Sequence, residues 1–245
     1  MRRIYIFDVD GTLTPSRGKM TKDFAEFFDK WSSDNEYYLV TGSDLEKLKE
    51  QLPITYIDRA EGLFTCCGNQ FYIDGKLQYE NKFEVPRKLK KLLGTILSNS
   101  SYPYRYGNHI EDRGSLLNFS IVGRDCTQEQ RDEYFDWDRK KGERKIIAQA
   151  IREKFPDLDA VIGGQISIDI YPKGKDKSQV IHKLKSLEIP KIPRFDYEYI
   201  FIGDRVREGG NDYPLAKVMY EMENCSAAQT LNPKTTQDIL EELND

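Results

Sequence analysis

Ile4-Tyr5-Ile6-Phe7-Asp8-Val9-Asp10-Gly11-Thr12 decides the fold. The unbroken apolar run at its start reads as a strand buried on both faces, as strands are when helices cover both sides of a parallel sheet. The run ends in two carboxylates two residues apart, then in a glycine where the chain can turn away. Ligands of open α/β sheets bind at the carboxyl ends of the strands, so Asp8 and Asp10 stand where chemistry is done. Period two puts both side chains on one side if the chain stays extended. Such a pair can divide labour between an ionised nucleophile and a proton carrier.

Working outward, apolar strands alternate with helical stretches at both ends of the chain. Thr21 is expected to cap a helix whose Phe24, Phe27, Phe28 and Trp31 recur at helical spacing. Tyr37–Val40 reads as a second strand, stopped by Thr41-Gly42-Ser43, and Ser43 is expected to cap a helix carrying Leu45, Leu48 and Leu52. Asp74-Gly75 between two short β-rich runs predicts a hairpin. Asp176 is expected to cap a helix through Leu187, and Tyr199–Ile202 predicts a strand ending in Gly203-Asp204. This rhythm implies an α/β class with a doubly wound, parallel sheet.

The middle has a different period. In Gln165–Ile170 the three isoleucines share one face, while Gln165, Ser167 and Asp169 share the other, and Leu117–Ile121 behaves likewise. With a helix over Pro86–Leu97 and a charged helical region over Thr127–Phe155, this predicts an antiparallel sheet with one face under helices and one open. The charge run Arg139–Arg144 reads as a solvated face. The expected organisation is a core of residues 1–81 and 172–245, interrupted by an inserted α+β domain of residues 82–171. Pro190–Pro193 is the only linker-like stretch.

Composition narrows the function. Lys and Arg number 37 against 41 Asp and Glu, a net charge of −4, which argues against binding nucleic acid through bulk charge. No apolar run approaches the roughly 18 residues of a membrane helix, so no membrane role is expected. The first apolar stretch is short and broken by Asp8, unlike a signal peptide. Cys66, Cys67, Cys126 and Cys225 form no C-x-x-C pair, so a structural zinc site is not expected, and buried thiols fit a reducing cytoplasm. With only 2 His, carboxylates must carry any chemistry.

Three further motifs complete a pattern. Thr41 puts a hydroxyl at a strand tip, where it can donate to a phosphate oxygen. Lys177, in Lys175-Asp176-Lys177, supplies a cation that would hold a nucleophilic Asp ionised. Asp204 ends a strand and is followed by Gly209-Gly210-Asn211-Asp212, and Asp8, Asp204 and an Asn211 or Asp212 oxygen form a hard-oxygen set suited to Mg²⁺.

These four elements, in this order, resemble the haloacid dehalogenase superfamily of phosphotransferases, whose Rossmann-like core carries an inserted cap. The resemblance implies that Asp8 accepts the phosphoryl group and Asp10 is the general acid/base. It implies that Thr41 and Lys177 bind phosphate, and that Asp8, the Asp10 carbonyl and Asp204 hold Mg²⁺. Thr12–Arg17, Arg113–Arg131 and Gly163–Asp169 are similar to the eukaryotic-type phosphomannomutases over nearly the whole chain. That likeness implies sugar-phosphate binding by Arg17, Arg113, Asn118, Arg124, Arg131, Ser167 and Asp169. It also implies a hexose monophosphate substrate, hexose 1,6-bisphosphate as activator, a cytoplasmic location and a homodimer formed through the caps. The same Asp8 chemistry with water as acceptor would make a sugar-phosphate phosphatase instead.

Overall fold

A computed structural model describes residues 2–16, 18–187 and 197–244, so Arg17 and Pro190–Pro193 lie outside the described residues. The chain divides into two compact units, Met1–Glu80 with Lys175–Asp245, and Asn81–Gly174.

The first unit is built on a seven-stranded sheet. Its strands are β1 (Arg2–Asp8), β2 (Glu36–Val40), β3 (Gly62–Thr65), β4 (Gln70–Ile73), β5 (Lys76–Glu80), β10 (Tyr197–Gly203) and β11 (Cys225–Gln229), in the order β11-β10-β1-β2-β3-β4-β5. β11 through β3 run parallel, and the β4–β5 hairpin adds an antiparallel edge. From β1 the order runs to β2 and β3 on one side and to β10 and β11 on the other. β1 and β10 therefore flank the switch point, where doubly wound sheets open a crevice.

The apolar run of β1 is sorted between two layers. Tyr5 and Phe7 pack with Phe24, Phe28 and Trp31 of α1 (Lys22–Asp34), Leu48 of α2 (Leu45–Gln51) and Tyr56 and Ile57 of α3 (Ile54–Arg59). Ile4 and Ile6 pack on the other face with Val180, Ile181 and Leu184 of α7 (Gln179–Ser186) and Leu215 and Met219 of α8 (Tyr213–Tyr220). Burial on both faces is why the strand reads as continuous rather than alternating.

Three expected caps differ. Thr21 occupies the N-cap of α1 but makes no side-chain cap bond. Asp44, not Ser43, caps α2, its carboxylate accepting from the Lys47 N–H at 2.8 Å. Ser43 instead donates its N–H to Thr41 Oγ1 at 3.0 Å. Ser178 occupies the N-cap of α7, while Asp176 accepts from the Ser178 N–H and so closes the turn that leads into it. Ser, Thr and Asp compete for such local N–H groups, and one residue decides which wins.

The second unit carries a four-stranded antiparallel sheet, ordered β6 (Ile110–Asp112), β7 (Leu117–Ser120), β9 (Ser167–Pro172), β8 (Leu158–Gly163). Phe119, Ile168 and Ile170 pack with Leu89 and Leu93 of α4 (Arg87–Asn99), Tyr134 of α5 (Gln128–Lys141) and Ile147 and Ile151 of α6 (Glu143–Lys154). The expectation of an open opposite face is corrected: Asn118, Ser120, Ser167 and Asp169 are all buried. Asn118 donates to Asp169, Ser167 accepts from the Arg124 guanidinium, and Ser120 Oγ accepts from the Gly123 N–H. The reading of Arg139–Arg144 as wholly solvated is also corrected. Arg144 is buried, its Nε donating to Asp138 Oδ2 at 2.7 Å and its Nη1 to the Gly164 carbonyl at 3.1 Å. Among the described residues no helix is long and apolar enough to cross a membrane.

Candidate active site

The carboxyl ends of β1, β2 and β10 bring Asp8, Thr41 and Asp204 to the switch point of the first unit. Lys177 enters just before α7. It is fully buried, and its Nζ donates to Asp8 Oδ1 at 2.5 Å and to Asp212 Oδ1 at 2.6 Å. Asp212 is also fully buried, and its second oxygen accepts from the Arg205 N–H at 3.0 Å. Oxygens of Asp8, Asp204 and Asp212 lie within 4.8 Å of one another. Gly11 makes this approach possible. At φ +84° it takes a left-handed turn, and a Cβ there would stand 2.5 Å from Asp204 Oδ2.

Three carboxylates around one ammonium leave a net negative charge out of water. Burial pushes the Asp8 carboxyl well above its ordinary range, with Asp212 adding to the rise and Lys177 opposing it. Asp204 is pushed up to about 7, by burial first and then by Asp212. Burial works against the charge of Lys177, yet Asp212 and Asp8 outweigh it and raise its pKa, so the ammonium stays protonated. The buried Asn211 Oδ1 has no hydrogen-bond partner among the described residues. Excess carboxylate charge and an idle amide oxygen are the donor chemistry that a hard divalent cation satisfies, so the residues present fit Mg²⁺.

Asp10 is set apart from this cluster. Its carboxylate meets Gln51 Nε2, which donates to Oδ1 at 2.8 Å. Thr41 is buried, with its hydroxyl oxygen accepting from the Ser43 N–H.

The second unit gathers the opposite charge. Glu111, Asn118 and Asp169 stand in register across β6, β7 and β9. Glu111 Oε2 accepts from Arg113 Nη2 at 2.5 Å and lies 3.3 Å from Arg124 Nη2. Arg124 Nη1 donates to Ser167 Oγ at 3.2 Å, and Asn118 Nδ2 donates to Asp169 Oδ1 at 2.6 Å. Gly163 on β8 leaves room for Asp169, since a Cβ there would meet Asp169 Oδ2 at 2.2 Å. Arg131 Nη2 donates to the Arg124 carbonyl at 3.1 Å, whereas its buried Nη1 has no partner among the described residues. Burial lowers the pKa of Arg124, and the neighbouring Arg113 and Arg131 charges act in the same direction.

The sequence profile described as eukaryotic phosphomannomutase matches residues 24–245. The chain belongs to that family. Relatives within it include the phosphomannomutase of Encephalitozoon cuniculi, 33% identical over 96% of this chain and 91% of that one. The phosphomannomutase of Dendrobium officinale is 35% identical over 95% and 90%. Phosphomannomutase 1 of Dictyostelium discoideum is 33% identical over 98% and 96%. Among solved structures, the C-terminal domain of Candida albicans trehalose-6-phosphate phosphatase aligns over 99% of this chain and 92% of that one, with a TM-score of 0.64 at 16% identity. A haloacid dehalogenase subclass IIB sugar phosphatase aligns over 100% and 99%, with a TM-score of 0.59 at 11% identity. At such identities the structural likeness speaks for the fold, which is that of the haloacid dehalogenase superfamily.

Two residues escaped the sequence reading, Gln51 and Glu111. Gln51 had a signal, since it is a polar residue beside Leu48 and Leu52 on the apolar side of a short helix. Glu111 had none, because its place beside the arginines depends on strand register.

Proposed function

We propose that this member of the family interconverts mannose 6-phosphate and mannose 1-phosphate. The observation that carries the reading is Asp8 Oδ1 held 2.5 Å from a buried Lys177 at the tip of β1. The ammonium favours the ionised form of a carboxylate so placed, against the burial that raises its pKa, and aims it as a nucleophile. An Asp8 oxygen attacks the phosphorus of a hexose bisphosphate, the bond from phosphorus to the sugar oxygen breaks, and Asp10 gives its proton to that oxygen. In the return direction Asp10 takes the proton of the accepting hydroxyl as the phosphoryl group leaves Asp8. The bisphosphate turns between the two half-reactions, so position 1 and position 6 exchange roles. Hexose 1,6-bisphosphate primes the cycle as activator.

Lys177 offsets charge on the transferring group, and Asp212 orients Lys177. Thr41, whose oxygen accepts from Ser43, offers its O–H to a phosphate oxygen. Asp8, Asp204 and the Asp10 carbonyl would hold Mg²⁺, and Asn211 Oδ1 is a further oxygen without a hydrogen-bond partner among the described residues; both oxygens of Asp212 already accept from N–H donors. Bound there, the ion would offset charge on the transferring phosphoryl group. Arg113, Arg124 and Arg131 hold the phosphate that is not reacting, through the forked contacts that suit guanidinium. Ser167, Asp169 and Asn118 hold sugar hydroxyls. The enzyme works in the cytoplasm as a homodimer formed through its second units, a state that sedimentation tests.

The deciding experiment supplies mannose 1-phosphate, Mg²⁺ and catalytic glucose 1,6-bisphosphate, then measures mannose 6-phosphate and free phosphate. Isomer without stoichiometric phosphate release is expected. Phosphate release without isomer would replace the mutase reading with the phosphatase one.

A further inference from the structure

Gln51 ends α2 and is only 2% exposed. Its Nε2 donates to Asp10 Oδ1 at 2.8 Å and reaches the Gly18 carbonyl at 3.4 Å. Its backbone carbonyl accepts from the Met20 N–H at 2.9 Å. One residue thus ties Asp10 to the segment at 18–20. Its Oε1 is buried and has no hydrogen-bond partner among the described residues. An idle buried amide oxygen destabilises a fold, and a leucine or methionine of similar volume would avoid that cost. What the glutamine adds is the N–H aimed at Asp10.

We propose that Gln51 is a positioning residue for Asp10, fixing the rotamer of its carboxyl group for proton transfer. The inference rests on the phosphomannomutase reading above. With Oδ1 accepting the amide N–H, the exchanged proton is assigned in this proposal to Oδ2, the oxygen that Gln51 does not engage. In phosphoenzyme formation the Oδ2–H bond breaks, its proton joins the departing sugar oxygen, and the carboxylate left behind keeps the Gln51 hydrogen bond. In the return step Oδ2 recovers a proton from the attacking hydroxyl. A carboxyl group that loses this contact is held less closely, and positional looseness of about 1 Å in a catalytic group is costly.

The test separates steps that need a proton from one that does not. When glucose 1,6-bisphosphate is the donor, the departing sugar oxygen is a poor leaving group unless the acid protonates it, whereas 4-nitrophenyl phosphate expels a stable phenolate without protonation. Gln51→Leu and the isosteric Gln51→Glu are compared with the wild type by first-turnover 4-nitrophenolate release and by steady-state mutase kinetics with Mg²⁺. The mutase kcat is expected to fall about tenfold to a hundredfold in both variants, a part of what general acid–base catalysis supplies, while KM and 4-nitrophenolate release stay within about twofold. Equal losses with both phosphoryl donors would show that Gln51 only maintains the site's shape and would overturn the assignment. So would an unchanged mutase kcat. A wild type that forms no isomer from hexose phosphates would overturn the phosphomannomutase reading and this assignment with it, an outcome visible before any variant is made.

Discussion

The two units solve mirror-image electrostatic problems. The first gathers three carboxylates, Asp8, Asp204 and Asp212, around the single ammonium of Lys177. The second gathers three guanidinium groups, Arg113, Arg124 and Arg131, near the single carboxylate of Glu111, with Asp169 on the adjacent strands. One cluster is short of positive charge and the other short of negative charge. Both are largely enclosed: Lys177 and Asp212 are fully buried, and the Arg113 and Arg124 side chains keep only 5% and 15% of their exposure. An enclosed charge left unbalanced is costly, so each cluster is suited to a ligand of the opposite sign. On the function proposed above, the first cluster carries the chemical step and the second binds.

The strongest way to break this division is Asp8→Asn. If the first cluster does the chemistry, isomer formation falls by about 10⁴-fold or more, as when other covalent nucleophiles are removed. Metal-free stability should hold or rise, because one of the crowded carboxylates is gone; retained turnover would remove Asp8 from the nucleophile's role. Lys177→Met comes next. Asp8 and Asp212 lose their shared cation, and breaking such a buried pair costs about 3–5 kcal/mol in urea unfolding at neutral pH. The loss should shrink as pH falls, since the orphaned carboxylates can then take up protons.

How much of this was legible in the sequence follows from range. Asp8, Thr41 and Asp204 sit at strand ends, and a strand end is local information, so period and punctuation sufficed to place them. The partner of Asp8 is 169 residues away, and Lys177 could be assigned only because a four-motif order is family-specific. The polar face of β9 was legible as polar but not as buried. Burial there depends on what reaches it, and Arg124 reaches Ser167 from 43 residues away. Caps were the least legible feature: Asp44 and Ser43 are chemically equivalent candidates one residue apart, and only the bend after β2 chooses between them.

The pH response sharpens the comparison, because the first cluster holds a carboxyl pushed up to about 7. Asp204 ionises at about 7 in the folded protein and near 3.8 when unfolded. Between those values the folded state holds a proton that the unfolded state has lost, so metal-free stability falls as pH rises, by up to about 1.4 kcal/mol per unit and levelling off above about 7. Asp8 is shifted in the same direction. A divalent cation takes the place of the proton. The stabilisation given by Mg²⁺ in thermal unfolding should therefore grow between pH 5 and 7.5, roughly the window that the Asp204 shift opens. A Mg²⁺ effect independent of pH would contradict the carboxylate cluster as its site.

Arg124→Ala has the smallest expected effect and probes the opposite prediction for the second cluster. Arg124 donates to Ser167 and pairs with Glu111, but it also sits beside Arg113 and Arg131, whose charges help to lower its pKa. Its removal relieves that repulsion and loses one charge-assisted contact, so the melting temperature should change little, by about 1 kcal/mol of stability or less. A bound phosphate, by contrast, loses a charged hydrogen bond. KM for the sugar phosphate should rise by about tenfold to a hundredfold, the worth of one such bond, with kcat changed far less. The contrast with Lys177→Met is the point: a cation deleted from the first cluster is felt in folding, and one deleted from the second in binding. If Arg124→Ala instead unfolds the protein while leaving KM untouched, the arginines are a structural network, and the phosphate that is not reacting must be held elsewhere.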